Sequence, residues 1–448
     1  MQDGATIKNI IKRQGNLVAY DRDRISTAIF RALVSTGTKD RDLAERLGAR
    51  VEQALVAAYG THTPPSIEEI QDIVEETLFE AGYADTARAY QDYRHARAQA
   101  RSMRACNFEV TDNIPYKKIY EVLCWNMAHE CDSVPALNRL IERGDFINLM
   151  RAADRRYDEE IDAAAEVVLA RSDRLRLIIV AGPSSSGKTT TTIKLAERLR
   201  KSGIGLQTIN VDNYFFELER HPRDEFGDYD YESPQALDLP LIDLHLAQLL
   251  DGRTVMTPHY DFKTGRRHLA AHALKLEPGN MLLLDSLHGL YGPMTASVAD
   301  EQKFRLYIET LGQLRAADGQ FMRWADNRLM RRMIRDSWHR NSQPEATLTH
   351  WRYVRRSELT NIIPYIGNAD FLVNSALPYE MPVLKGRIFD FFEPAIAKYR
   401  ADPGRQDAYI RARRINDFLL PLTPAADAGC LAPDSLLREF VGGSCYEY

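Results

Sequence analysis

Apolar residues in the first hundred positions recur at helical spacing. Ile25, Ala28, Ile29 and Leu33 fall on one helix face, and Ile70, Ile73, Val74 and Leu78 on another, so residues 7–101 are predicted to be mainly helical. The segment Thr61-His-Thr-Pro-Pro-Ser66 interrupts the period, and Ser66 followed by Glu69 has the spacing of a capping box that opens the next helix. From 102 to 170 the helical period persists over residues 119–127, 136–150 and 157–170, which predicts a helical connector. After Arg174 the period changes. Short apolar runs at 177–181, 206–211, 281–285, 304–308 and 370–374 alternate with amphipathic stretches at 189–201, 237–250 and 326–340. That alternation is the pattern of βαβ units, so residues 171–448 are predicted to form an α/β domain on a parallel sheet flanked by helices. No internal repeat interrupts either half.

Composition narrows the function classes. A chain of 448 residues is longer than one ordinary core, and its 44% hydrophobic and 27% charged residues match a water-soluble folded protein. The formal net charge of -5 supplies no basic footprint for DNA or RNA, so no nucleic acid partner is expected. No apolar run reaches the roughly 20 residues that span a bilayer, and the N-terminus lacks a signal-peptide pattern, so no membrane is expected and a cytoplasmic location is. The five cysteines are odd in number and irregularly spaced, which argues against a disulfide framework. Cys124, His129 and Cys131 lie close together but match no common zinc spacing and lack a fourth ligand.

The chemistry concentrates after the first α/β run. Gly182-Pro-Ser184-Ser185-Ser186-Gly187-Lys188-Thr189 satisfies G-x-x-x-x-G-K-[ST] between a predicted strand and a predicted helix. Glycines let backbone N–H groups turn toward phosphate oxygens, and the helix beginning at Lys188, Thr189 and Thr190 aims its positive end at them. Lys188 is expected to bridge the β- and γ-phosphates of ATP, and Thr189 to offer a hydroxyl to Mg2+. The loop leaves the nucleophile open, because hydrolases and kinases share it. Asp212 follows the second predicted strand, where the carboxyl ends of parallel strands face a ligand crevice; it either accepts the proton of an attacking hydroxyl or caps a turn. Asp285 ends the run 281–284 and is expected to hold Mg2+. Pro258-His259-Tyr260-Asp261-Phe262 reads as a short loop that stacks a flat ring, and Arg328, Arg331, Arg332, Arg335 and Arg340 gather guanidinium groups on one helix.

Taken together, the loop 182–189, the strand end at Asp212, Tyr260-Asp-Phe262 and the helix from Arg328 to Asp336 resemble the uridine kinase and phosphoribulokinase family, most closely its uridine kinase-related bacterial branch. The resemblance extends over residues 136–448 and implies a P-loop kinase with Asp212 as catalytic base, acting beside Lys188. It places Phe215, Glu232, Tyr260 and Arg328 at the acceptor, and Arg331, Arg335 and Arg340 on a lid. The acceptor is then a nucleoside-like hydroxyl compound. The pattern departs at Lys263-Thr264-Gly265, where the family carries a base-reading histidine, at Glu232 and Phe215, where it carries aspartate and tyrosine, and at Asp285-Ser286, where Glu-Gly is usual. Ile11-Lys12-Arg13-Gln-Gly15, Glu68-Glu-Ile-Gln-Asp72 and Ala87-Arg-Ala-Tyr90 resemble an ATP-cone, which implies a second, allosteric nucleotide held by Lys12, Arg13 and Arg24. A homo-oligomer is the expected assembly. A regulatory ATPase or ATP-binding protein without an acceptor stands as the alternative reading.

Overall fold

The computed structural model describes residues 7–11, 17–60, 63–105, 113–223, 229, 231–262, 264–339, 343–425 and 430–447, with backbone alone over 96–105. The chain divides into two compact units, Met1–Val110 with Pro394–Ile410, and Thr111–Glu393 with Arg411–Tyr448.

The N-terminal unit opens with an antiparallel pair, β1 (Asn9–Ile11) and β2 (Leu17–Ala19). Four helices follow: α1 (Arg22–Ser35), α2 (Arg41–Tyr59), α3 (Ile67–Glu80) and α4 (Ala84–Ala105). The capping box forms as its spacing requires, with the Glu69 N–H donating to Ser66 Oγ at 3.3 Å and the Ser66 N–H donating to Glu69 Oε2 at 2.7 Å. Ile29, Leu33, Val74 and Leu78 from the two predicted faces meet Val51 and Leu55 of α2 in the core. Arg41 is buried among them, held by Asp23 at 2.6 Å, to which the Tyr409 hydroxyl also donates at 2.8 Å.

The second unit begins with α5 (Tyr116–Ala128), α6 (Val134–Glu142) and α7 (Phe146–Ala170). The single helix predicted over 136–150 is thus split, because Gly144 adopts φ +78°, a left-handed stop between α6 and α7. The sheet follows as β3 (Leu177–Ala181), β4 (Leu206–Asn210), β7 (Met281–Ser286), β8 (Lys303–Glu309) and β9 (Phe371–Asn374), with α8 (Lys188–Lys201) and α9 (Leu239–Leu250) packed between strands in sequence. Its order is β4-β7-β3-β8-β9, and every pairing is parallel. All five residues of the central strand β3 are buried, as a strand covered on both faces requires. Helix α7 buttresses α8: Tyr157 Oη and Thr191 Oγ1 lie 2.6 Å apart, and Lys194 is ion-paired to Asp158 at 2.8 Å.

The ribbon that follows β4 also departs from the sequence pattern. Residues 258–261, expected in a loop, belong to β5 (Val255–Asp261), which pairs antiparallel with β6 (Arg266–Leu274) in a separate two-stranded ribbon. Most of β6 is exposed, so it carries little alternation of apolar and polar positions to announce it. Helix α10 (Trp324–His339) is the arginine helix, and α11 (Pro344–Ser357), α12 (Glu380–Tyr399), α13 (Gln406–Leu419) and the short α14 (Arg438–Val441) complete the chain. Among the described residues no helix is long and apolar enough to cross a membrane.

Candidate functional site

The site grows from the turn between β3 and α8. Gly182 is packed so closely that a Cβ there would lie 2.4 Å from the Ile308 carbonyl oxygen, and Gly187 at φ +91° would press a Cβ to 2.6 Å from Leu436 Cδ1. Ser185 takes φ +60°, a left-handed conformation that costs a non-glycine residue of order 1–3 kcal/mol. The turn is therefore held in a shape the chain would not adopt by itself. Lys188 folds over it, donating to the carbonyl oxygens of Gly182 at 2.9 Å and Pro183 at 3.2 Å. The hydroxyls of Ser185 and Ser186 are buried without a hydrogen-bond partner among the described residues. Buried polar atoms of this kind are costly unless a partner meets them, and both lie in the turn whose sequence pattern predicts phosphate binding. Thr189 is exposed at the start of α8, whereas the N–H and hydroxyl of Thr190 both donate to Glu439 Oε2, at 3.1 and 2.8 Å.

Two carboxylates, one near the end of β7 and one just after β4, act on the charge of Lys188. Asp285 on β7 stands in register with Val180 of β3 and Asn210 of β4. Burial pushes its pKa up to about 6, with Asp212 and Glu439 adding to the rise and Lys188 opposing it. Asp212 follows β4 in a short 3-10 turn (Val211–Tyr214) opened by an Asn210 side chain that accepts the Asp212 N–H at 3.0 Å. It is exposed. The Lys188 ammonium has its pKa lowered by burial, against the attraction of Asp285, Glu439 and Asp212. Lys188, Asp212 and Asp285 are thus brought together in one electrostatic neighbourhood. Among the described residues no cluster of three His, Cys, Asp or Glu side chains stands ready to hold a metal. The oxygens of Thr189 and Asp285 fit Mg2+ in the way that ion is usually held, by one or two protein oxygens with phosphates completing the shell.

Phe215, Tyr260 and Phe262 form an aromatic wall, with Phe215 5.6 Å and Phe262 4.9 Å from the Tyr260 ring. His221, to which the sequence assigns no role, stacks on Phe215 at 5.5 Å. Asn213 Oδ1 accepts the Tyr260 N–H at 3.2 Å, tying the ribbon to the turn that carries Asp212. Glu232 is largely buried; burial alone would raise its pKa, but His350, Arg332 and His288 outweigh that and lower it.

The arginines divide. Arg328 is 1% exposed and donates to Ser184 O at 3.0 Å and to Glu358 Oε2 at 2.9 Å, with Glu309 Oε1 3.0 Å from its Nε. It props the phosphate loop from behind and is buried away from solvent. Arg331 is fully buried and donates to Glu380 at 2.7 Å and to Ser375 O, so its guanidinium sits inside the core. Arg335 lies 3.4 Å from Asp336 and is near enough to act electrostatically on Lys188. Arg332, given no separate role by the sequence, reaches Ser184 Oγ at 3.3 Å and lies 3.8 Å from Glu232, bridging the loop 182–189 and Glu232. Its i+4 spacing from Arg328 on α10 was the only available signal. Lys12, Arg13 and Arg340 lie outside the described residues, as does Lys263; Arg24 is exposed and paired with Asp21 at 3.3 Å.

Two stretches of the chain match known families. Residues 8–99 match the ATP cone domain, and residues 177–379 match the phosphoribulokinase / uridine kinase family. A uridine kinase from Deinococcus deserti is 32% identical over 198 residues, 44% of this chain and 86% of that protein. Uridine-cytidine kinase B of Dictyostelium discoideum is 25% identical over 198 residues, 44% of this chain and 73% of its own length. A solved structure described as a possible uridine kinase from Bacillus stearothermophilus aligns at a TM-score of 0.34 and 17% identity, covering 48% of this chain and 98% of that one. With its phosphate loop, strand-end carboxylates and arginine helix in the matched region, the chain belongs to the phosphoribulokinase / uridine kinase family.

Proposed function

We propose that this protein transfers the terminal phosphoryl group of ATP to a hydroxyl of a small nucleoside-class molecule, with Asp212 as the base. The carrying observation is the convergence of Lys188, Asp285 and Asp212 at the ends of adjacent parallel strands. The amides of the loop and Lys188 bind the phosphates. Asp212, exposed beside them, takes the proton of the incoming hydroxyl as its oxygen attacks the γ-phosphorus and the bond to the β-phosphate oxygen breaks, releasing ADP. Thr189 and Asp285 would hold Mg2+, which would supply charge neutralisation between the phosphates when bound. Phe215, Tyr260 and Phe262 offer flat faces to a base, and Glu232 offers a carboxylate to sugar hydroxyls. Arg332, set between Ser184 and Glu232, is placed to steady the phosphoryl in transit. The match of residues 8–99 supports a second nucleotide in the N-terminal unit that biases the kinase between states.

The test is ADP release with and without uridine, cytidine and a panel of other alcohols. Turnover stimulated by an acceptor, with phosphorylated product by mass spectrometry, supports the kinase; acceptor-independent turnover supports the ATPase alternative. Asp212→Asn is expected to cut transfer by orders of magnitude while ATP affinity stays within a few-fold. An equal loss of ATP binding would remove the base role.

A further inference from the structure

We propose that the C-terminal segment of this chain is a built-in gate on its own nucleotide site, with Glu439 as the gating residue. This rests on the phosphate loop being a nucleotide site. The N–H and Oγ1 of Thr190, the third residue of α8, both donate to one carboxylate oxygen of Glu439, at 3.1 and 2.8 Å. In a loop of this type the amides and hydroxyls at the start of the helix are donors to the α- and β-phosphates. A single N–H cannot serve two anions, and a carboxylate 3 Å from a phosphate would repel it. Glu439 therefore stands where a nucleotide phosphate has to bind. The contact is not a loose surface pairing: Glu439 is 5% exposed, and its charge acts on Lys188 and Asp285 inside the site.

The segment that carries Glu439 is anchored around the phosphate loop at several points. Leu436 packs against Gly187, Asp434 lies 3.3 Å from Lys194 of α8, and the Trp338 indole of α10 donates to Phe440 O at 2.6 Å. The Tyr446 hydroxyl reaches Glu197, further along α8, at 3.4 Å. Entry of a nucleoside triphosphate thus competes with an intramolecular anion at the helix start. Withdrawal of Glu439 couples nucleotide binding to movement of residues 431–441. The Trp338–Phe440 link passes that movement to α10, the helix that also carries Arg328 and Arg332.

The test is equilibrium binding of ATP and of a fluorescent ATP analogue to the full chain, with Glu439→Gln, Glu439→Ala and Leu436→Ala compared with the parent protein. Glu439→Gln keeps the shape and removes the charge, so folding is preserved and the competing anion is lost. The expected result is tighter binding, on the order of ten-fold, from loss of one charge-assisted contact. Leu436→Ala should shift affinity the same way by loosening the anchor, and Trp338 fluorescence should change on ATP addition to the parent protein. Unchanged or weaker ATP binding in both Glu439 variants would overturn the gate, since a carboxylate that merely positions Thr190 moves affinity in that direction. Absence of binding in the parent and every variant would instead sink the nucleotide reading of the loop, and the gate with it.

Discussion

Replacing Arg328 by methionine separates a structural arginine from a catalytic one. Its guanidinium is 1% exposed, and it lies within ion-pair distance of Glu309 and Glu358 while donating to the Ser184 carbonyl. Burial works against its charge, and the two carboxylates outweigh burial and raise its pKa. Methionine fills much of the same volume but leaves the Glu309 and Glu358 carboxylates buried beside an apolar group. Removing one partner of a buried ionic set costs about 3–5 kcal/mol. Here Arg355 still pairs with Glu358, and Glu309 keeps the Thr310 N–H at 2.9 Å, which places the loss near the lower end, about 3 kcal/mol. With about 2.1 cal/mol/K of unfolding entropy per residue, a unit of this size shifts by about 1.5 °C per kcal/mol, so the melting temperature should fall by roughly 4–5 °C. Urea unfolding monitored by tryptophan fluorescence reads the free energy directly, and adding Glu358→Gln to the variant should recover part of it, because one stranded charge is then gone. ATP affinity should weaken as well, since Ser184 loses its prop. A melting temperature within 2 °C of the parent, together with a collapse of phosphoryl transfer, would refute this reasoning and return Arg328 to the transferring group.

Asp154 gives a pH signature. Its carboxyl is raised from 3.8 to about 6 by burial, against the Tyr379 and Ser435 hydroxyls that bond it. A carboxyl with a raised pKa binds its proton more tightly in the folded state, so its contribution is present at low pH and is lost as pH rises from about 4 through 6. The shift corresponds to at most about 3 kcal/mol. Asp154→Asn should flatten that part of the stability–pH curve relative to the parent, and parallel curves for the two proteins would show the carboxyl is not the cause. Gly187→Ala forces a side chain into φ +91° and against Leu436, so it should cost about 1–2 kcal/mol in chemical denaturation and weaken ATP binding at least ten-fold; unaltered affinity would mean the loop is not the cradle.

Much of this site was legible in the chain because its signals are local. The phosphate loop is one run of residues between a fully apolar strand and a helix, Asp285 lies near the end of a strand whose apolar run is visible, and Asp212 follows the shorter apolar signal of Leu206 and Ile209. The boundaries of β3, β7 and α8 fall within a residue or so of the periodicity for the same reason. What stayed hidden depends on partners distant in sequence. Nothing around Arg331 says that it will meet Glu380, or that Arg328 will meet Glu309 and Glu358, so a run of arginines reads as one class when the fold makes two of them core and leaves Arg332 at the site. Glu439 is the extreme case, 249 positions from the Thr190 it engages. The β5–β6 ribbon escaped because β6 is mostly exposed and a register shift between Thr257 and His259 breaks the alternation along β5.

The membership of Pro394–Ile410 in the N-terminal unit has a consequence for biosynthesis. Tyr409 supplies a hydroxyl to Asp23, and Arg400 pairs with Glu45, so the first hundred residues emerge from the ribosome with part of their own packing still untranslated. At about 5–20 residues per second, the missing piece arrives only after the whole parallel sheet has been made. A gene shortened to its first hundred codons should accordingly yield a module lacking native buttresses, and an excised module meant for nucleotide titration should carry residues 394–410 grafted back by a linker.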